Sequence, residues 1–195
     1  MKTLRIGVLS LQGAFREHIQ ILRRLGTQAS EVRLPEQLHG LAGLIIPGGE
    51  STTIGKLAVT YGLMDPLRKF AAAHPVWGTC AGLIFLAKET DSPQPLLGVM
   101  DIFAKRNAFG RQVDSFETDL FVPDLENGAA EPFHAVFIRA PYVAAVRGNA
   151  EVIAKLSDNT AVAVREGKCL ATAFHPELTS DLRFHRYFLQ MSIDN

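Results

Sequence analysis

Three runs in the first 90 residues are apolar almost without a break: "IGVLSL" (6–11), "LAGLIIPGG" (41–49) and "PVWGTC" (75–80). A strand with one wet face alternates apolar and polar residues; these do not, so they read as strands covered on both faces. Between them lie stretches with helical spacing. Phe15, Ile19, Leu22 and Leu25 recur on one face of "FREHIQILRRLG", and Gly26 closes that helix. "STTIGKLAVTYG", "MDPLRKFAAAH" and "AGLIFLAKE" read as further helices, and "ASEVRL" as one more short strand. Such an alternation predicts a parallel sheet with helices on both faces.

The second half changes character. "LGVMDIFAKRNAFG", "QVDSFETDLFV", "PFHAVFIRAP", "AEVIAKLS", "TAVAVREG" and "KCLATAFHPE" are strand-like and separated by turn residues. A helix returns only at "SDLRFHRYFLQMS". The fold class expected is α/β: a doubly wound, mainly parallel sheet flanked by helices, flavodoxin-like, with an antiparallel extension. No repeat, linker or low-complexity segment divides the 195 residues, so 1–195 reads as one domain.

Composition narrows the function classes. Twenty basic residues balance twenty acidic ones without a Lys/Arg cluster, which argues against a nucleic-acid surface. Apolar runs fall short of the ~18 residues a membrane span needs. The apolar N-terminus is too short for a signal peptide and lacks its cleavage site. Two cysteines make no disulfide framework; both are expected to be reduced, in a cytoplasm.

One of them, Cys80, sits in "GTCAG" at a strand-to-helix junction. Glycines two residues either side are the pattern of a nucleophile elbow, with cysteine in place of serine. A sharp turn strains the central residue, and neighbours two positions away must lack a β-carbon. The helix beginning at Ala81 directs its N–H groups at the sulfur, favouring thiolate, and the Ala81 N–H can serve an oxyanion. A free thiol, with a pKa of ~8.5, is only a few per cent ionised at neutral pH, so a base is needed. The bland alternative is a buried structural cysteine. Cys169, on a predicted strand without turn glycines, fits that alternative.

Six histidines are candidates for the base. His18 and His185 lie in helical patterns and read as surface or packing residues. His39 falls in a polar loop, His74 at a helix end, and His134 at the opening of a strand. His175 differs. It ends an apolar strand in "AFHPEL", where Pro176 is expected to keep the chain extended. Residues two apart on an extended segment point the same way, which puts Glu177 beside His175 as its orienting acid. Alone, "HPE" would pass for a polar turn. With "GTCAG", at the carboxyl ends of two core strands, it suggests nucleophilic acyl transfer.

The third strand ends in "LIIPGGEST". Gly48 and Gly49 permit positive φ and allow the loop to supply a second oxyanion N–H. The spacing is not that of a P-loop. The plain alternative is a strand-to-helix turn capped by Ser51 or Thr52.

Together these segments resemble the class I, triad glutamine amidotransferases. Within them the chain is most similar to the glutaminase subunits of pyridoxal 5'-phosphate synthase, through "LSLQGAFREH", "GLIIPGGESTTI", "GTCAGLIFLAKE", "RNAFGRQVDSFE", "FIRAP" and "AFHPEL". The resemblance implies the class I amidotransferase fold, with Cys80 as nucleophile, His175 as general base and acid, and Glu177 as its orienter. It implies glutamine contacts from Gly49, Glu50, Ser51, Arg106, Ile138 and Arg139, and an oxyanion hole from Gly49 and Ala81. The implied reaction is hydrolysis of L-glutamine to glutamate and ammonia through a γ-glutamyl thioester. Ammonia would pass to a barrel-shaped synthase subunit, the expected partner, in a large heteromeric complex. No cofactor or metal is expected. Gln12, after the first strand, is the expected coupling between partner surface and pocket, with docking reorienting Gly48–Gly49. Three rivals remain at this point: a triad glutaminase serving another synthase, a non-catalytic binding or regulatory subunit on the same fold, and a stress-type cysteine hydrolase or chaperone on a similar fold.

Overall fold

A computed structural model describes residues 4–106 and 115–193. The "NAFGRQVD" part of one recognised segment therefore lies outside the described residues. The first half alternates as expected: β1 (Arg5–Leu9), α1 (Phe15–Arg24), β2 (Gln28–Val32), β3 (Gly43–Ile46), α2 (Ser51–Thr60), α3 (Met64–Ala73), β4 (Val76–Thr79) and α4 (Ala81–Leu86). There follow β5 (Ala87–Thr90), β6 (Met100–Lys105), β7 (Ser115–Leu120), β8 (Phe133–Ile138), β9 (Tyr142–Val146), β10 (Glu151–Lys155), β11 (Ala161–Glu166), β12 (Cys169–Thr172) and α5 (Arg183–Ile193).

The main sheet runs β2-β1-β3-β4-β12-β11-β9-β6-β5, with β10 paired to β11; β7 and β8 form a separate antiparallel pair. From β2 to β12 every pairing is parallel. β11 then runs antiparallel to β12, β9 to β11 and β6 to β9. Strands β3, β4 and β12 are buried along their whole length, which is why their sequences do not alternate. In this strand order the chain reverses direction of growth between β1 and β3, and ligands in such sheets bind at the carboxyl ends of strands near that point.

Both faces are covered. Trp77, in the middle of β4, is fully buried; its ring packs edge-on to His18 of α1 and His185 of α5, and near Phe184 and Phe188. Its neighbour Gly78 faces the other way, against Gly82 of α4. So α1 and α5 cover one face and α4 the other. Aromatic anchors of this size are what make core truncations cost about 3–5 kcal/mol.

Two local expectations differ. The stretch 81–89 is not one helix: α4 stops at Leu86 and Ala87–Thr90 pairs in parallel with β6. All six α4 residues are buried, so their apolarity carries no period to mark the helix end, and sheet pairing overrides the helical preference of "AKE". Strand β9 was not among the expected strands; "YVAAV" follows Pro141 directly, where the expected strand closes. Among the described residues no helix is long and apolar enough to cross a membrane.

Candidate functional site

Strand register brings positions 80 and 175 together. β4 and β12 are parallel neighbours, paired from Val76–Cys169 to Thr79–Thr172. The Cys80 N–H donates to the Thr172 carbonyl at 2.8 Å, so the segments leaving the two strands emerge side by side. The His175 N–H donates to Val136 of β8, also at 2.8 Å.

Cys80 has φ 48° and ψ −102°, in the region that disfavours a side chain. The flanking glycines make that turn possible. A β-carbon on Gly78 would lie 2.5 Å from the backbone of Gly82, and one on Gly82 would run into the carbonyl of Ile46 in β3. As first residue of α4, Ala81 has an N–H without an intrahelical acceptor. The helix behind it is only six residues long, shorter than expected.

His175 and Glu177 meet, though not by the expected route. Pro176–Leu178 form a short 3₁₀ turn rather than extended chain. His175 Nδ1 donates to Glu177 Oε1 at 2.7 Å, because an ionised carboxylate only accepts, and this leaves Nε2 for the Cys80 sulfur. A β-carbon on Gly48 would lie 2.6 Å from His175 Cε1 and 3.3 Å from Cys80 Cβ, so both side chains converge on one point. Burial works against a charged His175, but Cys80 and Glu177 outweigh it and raise its pKa to about 10. Burial likewise opposes ionisation of Glu177, and His18 and His175 overcome it, holding the carboxyl below its ordinary range.

The glycine loop packs tightly over this point. Neither Gly48 nor Gly49 adopts positive φ; their role is close approach, Gly48 to Cys80 and His175, Gly49 to the Gln12 amide. The Gly48 N–H donates to Thr79 Oγ1 (3.0 Å), its carbonyl accepts from Ala14 (3.0 Å), and the Glu50 N–H donates to Gln12 Oε1 (2.7 Å). Among the described residues the Gly49 N–H between them has no acceptor. Glu50, not Ser51 or Thr52, caps α2, accepting from the N–H groups of Thr52 and Thr53. Its slight burial opposes ionisation, but the Thr53 and Thr52 hydrogen bonds prevail and hold it at about 2.

The remaining expected contacts, Ser51, Arg106, Ile138 and Arg139, line the same pocket of about 600 Å³ as Cys80 and His175, and so does Gln12, the expected coupling residue. The Arg106 guanidinium is already engaged, with Glu50 Oε1 at 3.2 Å and Thr52 Oγ1 at 3.2 Å. Arg139 makes no side-chain hydrogen bond or salt bridge to any described residue, and its backbone is strained at φ 42°. Four described residues other than glycine have positive φ. Two are asparagines, which tolerate it; the other two, Cys80 and Arg139, both face this pocket. Cys169, by contrast, lies buried in β12, and burial pushes its thiol to about 12.

Sequence reasoning missed two contributors. His18 is fully buried, with Nε2 3.4 Å from Glu177 Oε2. The available signal was its place on the same helical face as Phe15 and Leu22. Gln94, in a polar loop without any pattern, accepts through Oε1 from Ser51 Oγ at 3.0 Å, Thr52 Oγ1 at 3.1 Å and the Arg106 guanidinium at 3.4 Å.

The chain matches known proteins along nearly its whole length. The profile of the SNO glutamine amidotransferase family matches residues 8–194. The chain is 60% identical over 190 residues to the pyridoxal 5'-phosphate synthase subunit PdxT of Moorella thermoacetica, covering 96% of this chain and 99% of that one. It is also 60% identical over 195 residues to PdxT of Dehalococcoides mccartyi, covering 98% of each. A crystal structure of a glutamine amidotransferase superposes with a TM-score of 0.89 at 53% identity, covering 96% of this chain and 98% of that one. PurLQS from Thermotoga maritima, at 16% identity and a TM-score of 0.71 over 100% of this chain and 99% of that one, shares the fold.

Proposed function

The chain belongs to the SNO glutamine amidotransferase family, and from that premise we propose that it is the glutaminase subunit of a pyridoxal 5'-phosphate synthase. The observation that carries the reading is the convergence of Cys80, His175 and Gly48 at one point, with Glu177 bonded behind the imidazole. Residues 1–195 act as one glutaminase domain. Its two unpaired thiols suit a reducing, cytoplasmic compartment.

In the proposed cycle His175 Nε2 takes the proton of Cys80, and the sulfur attacks the side-chain amide carbon of L-glutamine. The Ala81 and Gly49 N–H groups receive the developing oxyanion. The imidazolium gives its proton to the departing ammonia, leaving a γ-glutamyl thioester on Cys80. His175 then activates water, which releases glutamate. Glu177 acts through His175, fixing the tautomer and stabilising the imidazolium. Glu50, Ser51, Arg106 and Ile138 form the glutamine pocket. Arg139, the cation without a described partner, is the group best placed for the substrate carboxylate.

Ammonia then passes to a barrel-shaped synthase subunit in a heteromeric complex. Gln12 is suited to sense that partner, because its amide oxygen holds the Glu50 N–H and presses on Gly49. Turning the Gly48–Gly49 peptide would break the bond from Ala14 to the Gly48 carbonyl. The test is a glutamate-release assay with and without the synthase subunit, trapping the thioester. Wild type should release glutamate faster in the complex and label at Cys80; labelling at Cys169 would overturn the assignment. Gln12→Ala should lose part of the stimulation; equal stimulation removes Gln12 from this account.

A further inference from the structure

Behind the triad, away from the pocket, two histidines from different helices form a buried pair that the proposed cycle does not use. His18 Nδ1 lies 3.0 Å from His185 Nε2, and both residues are fully buried. The Trp77 ring packs edge-on to each, at 5.8 and 5.0 Å between centroids, which limits their rotation. His18 Nε2 faces two oxygens at 3.4 Å, Glu177 Oε2 and Thr79 Oγ1. No closer hydrogen-bond partner reaches Glu177 Oε2 among the described residues, and none reaches His185 Nδ1.

We propose that His18 is a positioning residue for the triad: its Nε2–H, set in place by a hydrogen bond from His185, steadies the outer oxygen of Glu177 and through it the orientation of His175. The inference rests on the glutaminase reading above.

The tautomers follow from the orphaned atoms. If His185 donates from Nε2, His18 Nδ1 accepts, and the His18 proton sits on Nε2, facing the carboxylate. His185 Nδ1 is then a bare acceptor, the less costly group to leave unpaired in the interior. In the opposite arrangement Thr79 donates to a bare His18 Nε2 and His18 Nδ1–H donates to His185. That directs a lone pair at the Glu177 carboxylate and strands a buried N–H on His185. Burial, which on His18 outweighs the opposing pull of Glu177, lowers the pKa of both histidines, so near neutral pH His18 offers Glu177 an N–H dipole. The 3.4 Å separation lies at the outer edge of hydrogen bonding, so this is an electrostatic restraint on a carboxylate already tied to His175. Among the described residues, the charged and titratable groups facing the pair are Glu177 and His175 on the site side and Glu17 on α1. Thr79 also receives the Gly48 N–H, so the same cluster supports the oxyanion loop.

The test uses the complex with its synthase subunit. General acid–base catalysis is worth roughly 10²–10⁴-fold, and a misoriented imidazole forfeits part of it. His18→Leu should therefore lower kcat about 10- to 100-fold with KM nearly unchanged, and move the pH limb belonging to His175 to lower pH. His18→Gln, which keeps an N–H donor at similar reach, should restore most of kcat and the original limb. Equal kcat in wild type and His18→Leu, or an equal loss in folded His18→Gln and His18→Leu, overturns the proposal. Nitrogen NMR of the wild-type chain labelled in histidine needs no variant to fold. A proton on His18 Nε2 supports the assignment, and a proton on Nδ1 overturns it. That tautomer is read in resting protein, so a complex inactive on glutamine would sink the functional reading while the histidine pair is judged separately.

Discussion

The two cysteines sit at opposite ends of the same pair of strands. Cys169 opens β12, level with Val76 at the start of β4; Cys80 follows the end of β4, bonded to the last residue of β12. Both are buried. Cys169 has regular strand backbone and lies in the core, where burial, and then the charge of Glu166 on the adjoining strand, make its thiol harder to ionise. Cys80 has strained backbone, glycines two residues away on each side, a helix start beside it and a histidine converging on it. Burial alone does not separate a structural thiol from a reactive one. What separates them is the end of the parallel strands at which each lies, because loops that turn back over a sheet gather at the carboxyl ends.

The largest effect expected from that contrast is on turnover. Cys80→Ala removes the group that forms the covalent intermediate, and losing such a nucleophile costs on the order of 10⁶-fold in a comparable hydrolase. Glutamate release by the complex should fall to background. Substantial activity in Cys80→Ala would erase the distinction between the two thiols.

Next comes the architecture that makes Cys80 different. A β-carbon on Gly82 meets the Ile46 carbonyl, a backbone atom that cannot swing aside. Gly82→Ala should destabilise the chain by about 1–3 kcal/mol, the usual range for overpacking a core. It should also slow thioester formation, because relief comes only by shifting the elbow or the end of β3. Denaturant melts measure the first and single-turnover labelling the second. A fully stable, fully active Gly82→Ala would mean that the elbow tolerates a wider turn than its geometry implies.

This contrast also marks what was legible beforehand. "GTCAG" announced the elbow because a steric requirement was written as two glycines. The continuous apolar strands announced a sheet covered on both sides. The end of α4 was not legible, since six buried residues in a row have no polar face to count from. Pro176 was expected to extend the chain and instead starts a 3₁₀ turn, yet His175 and Glu177 meet either way. His18 carried a signal, its helical face, that its polarity obscured. Gln94 carried none: its partners Ser51, Thr52 and Arg106 are brought to it only by folding.

The catalytic end should also carry the acid sensitivity. His18 and His185 have pKa values lowered by burial from the ordinary 6.5. Below that value the unfolded chain binds protons that the folded one refuses, so stability falls with pH, by at most ~1.4 kcal/mol per unit for each histidine. The window opens near 6.5 and closes below the depressed folded values. Glu177, lowered from 4.5, adds a second loss beginning below that point, since its folded carboxylate must then be protonated. His175 acts oppositely: raised to about 10, its contribution is complete below 6.5 and disappears as pH rises through about 10. Urea melts from pH 7 to 5 read the first window. His18→Gln should flatten the slope by removing one titrating group; an unchanged slope would place the acid sensitivity elsewhere.

The smallest effect belongs to Cys169. Its side chain packs in the core on β12, in contact with nothing that reacts, so Cys169→Ala removes about one methylene's worth of buried surface. At ~0.8 kcal/mol per such group, with a small cavity added, the stability loss should be about 1 kcal/mol. Turnover in the complex should not change, because β12 keeps its pairing with β4 through Leu170, Ala171 and Thr172, which sets the level at which His175 emerges. Alkylation gives the sharper reading. A thiol pushed to about 12 has almost no thiolate at neutral pH, so iodoacetamide should modify folded wild type at Cys80 and spare Cys169 until the chain unfolds. If Cys169 were labelled as fast as Cys80 in the folded complex, position along the strand would not be what divides the two thiols.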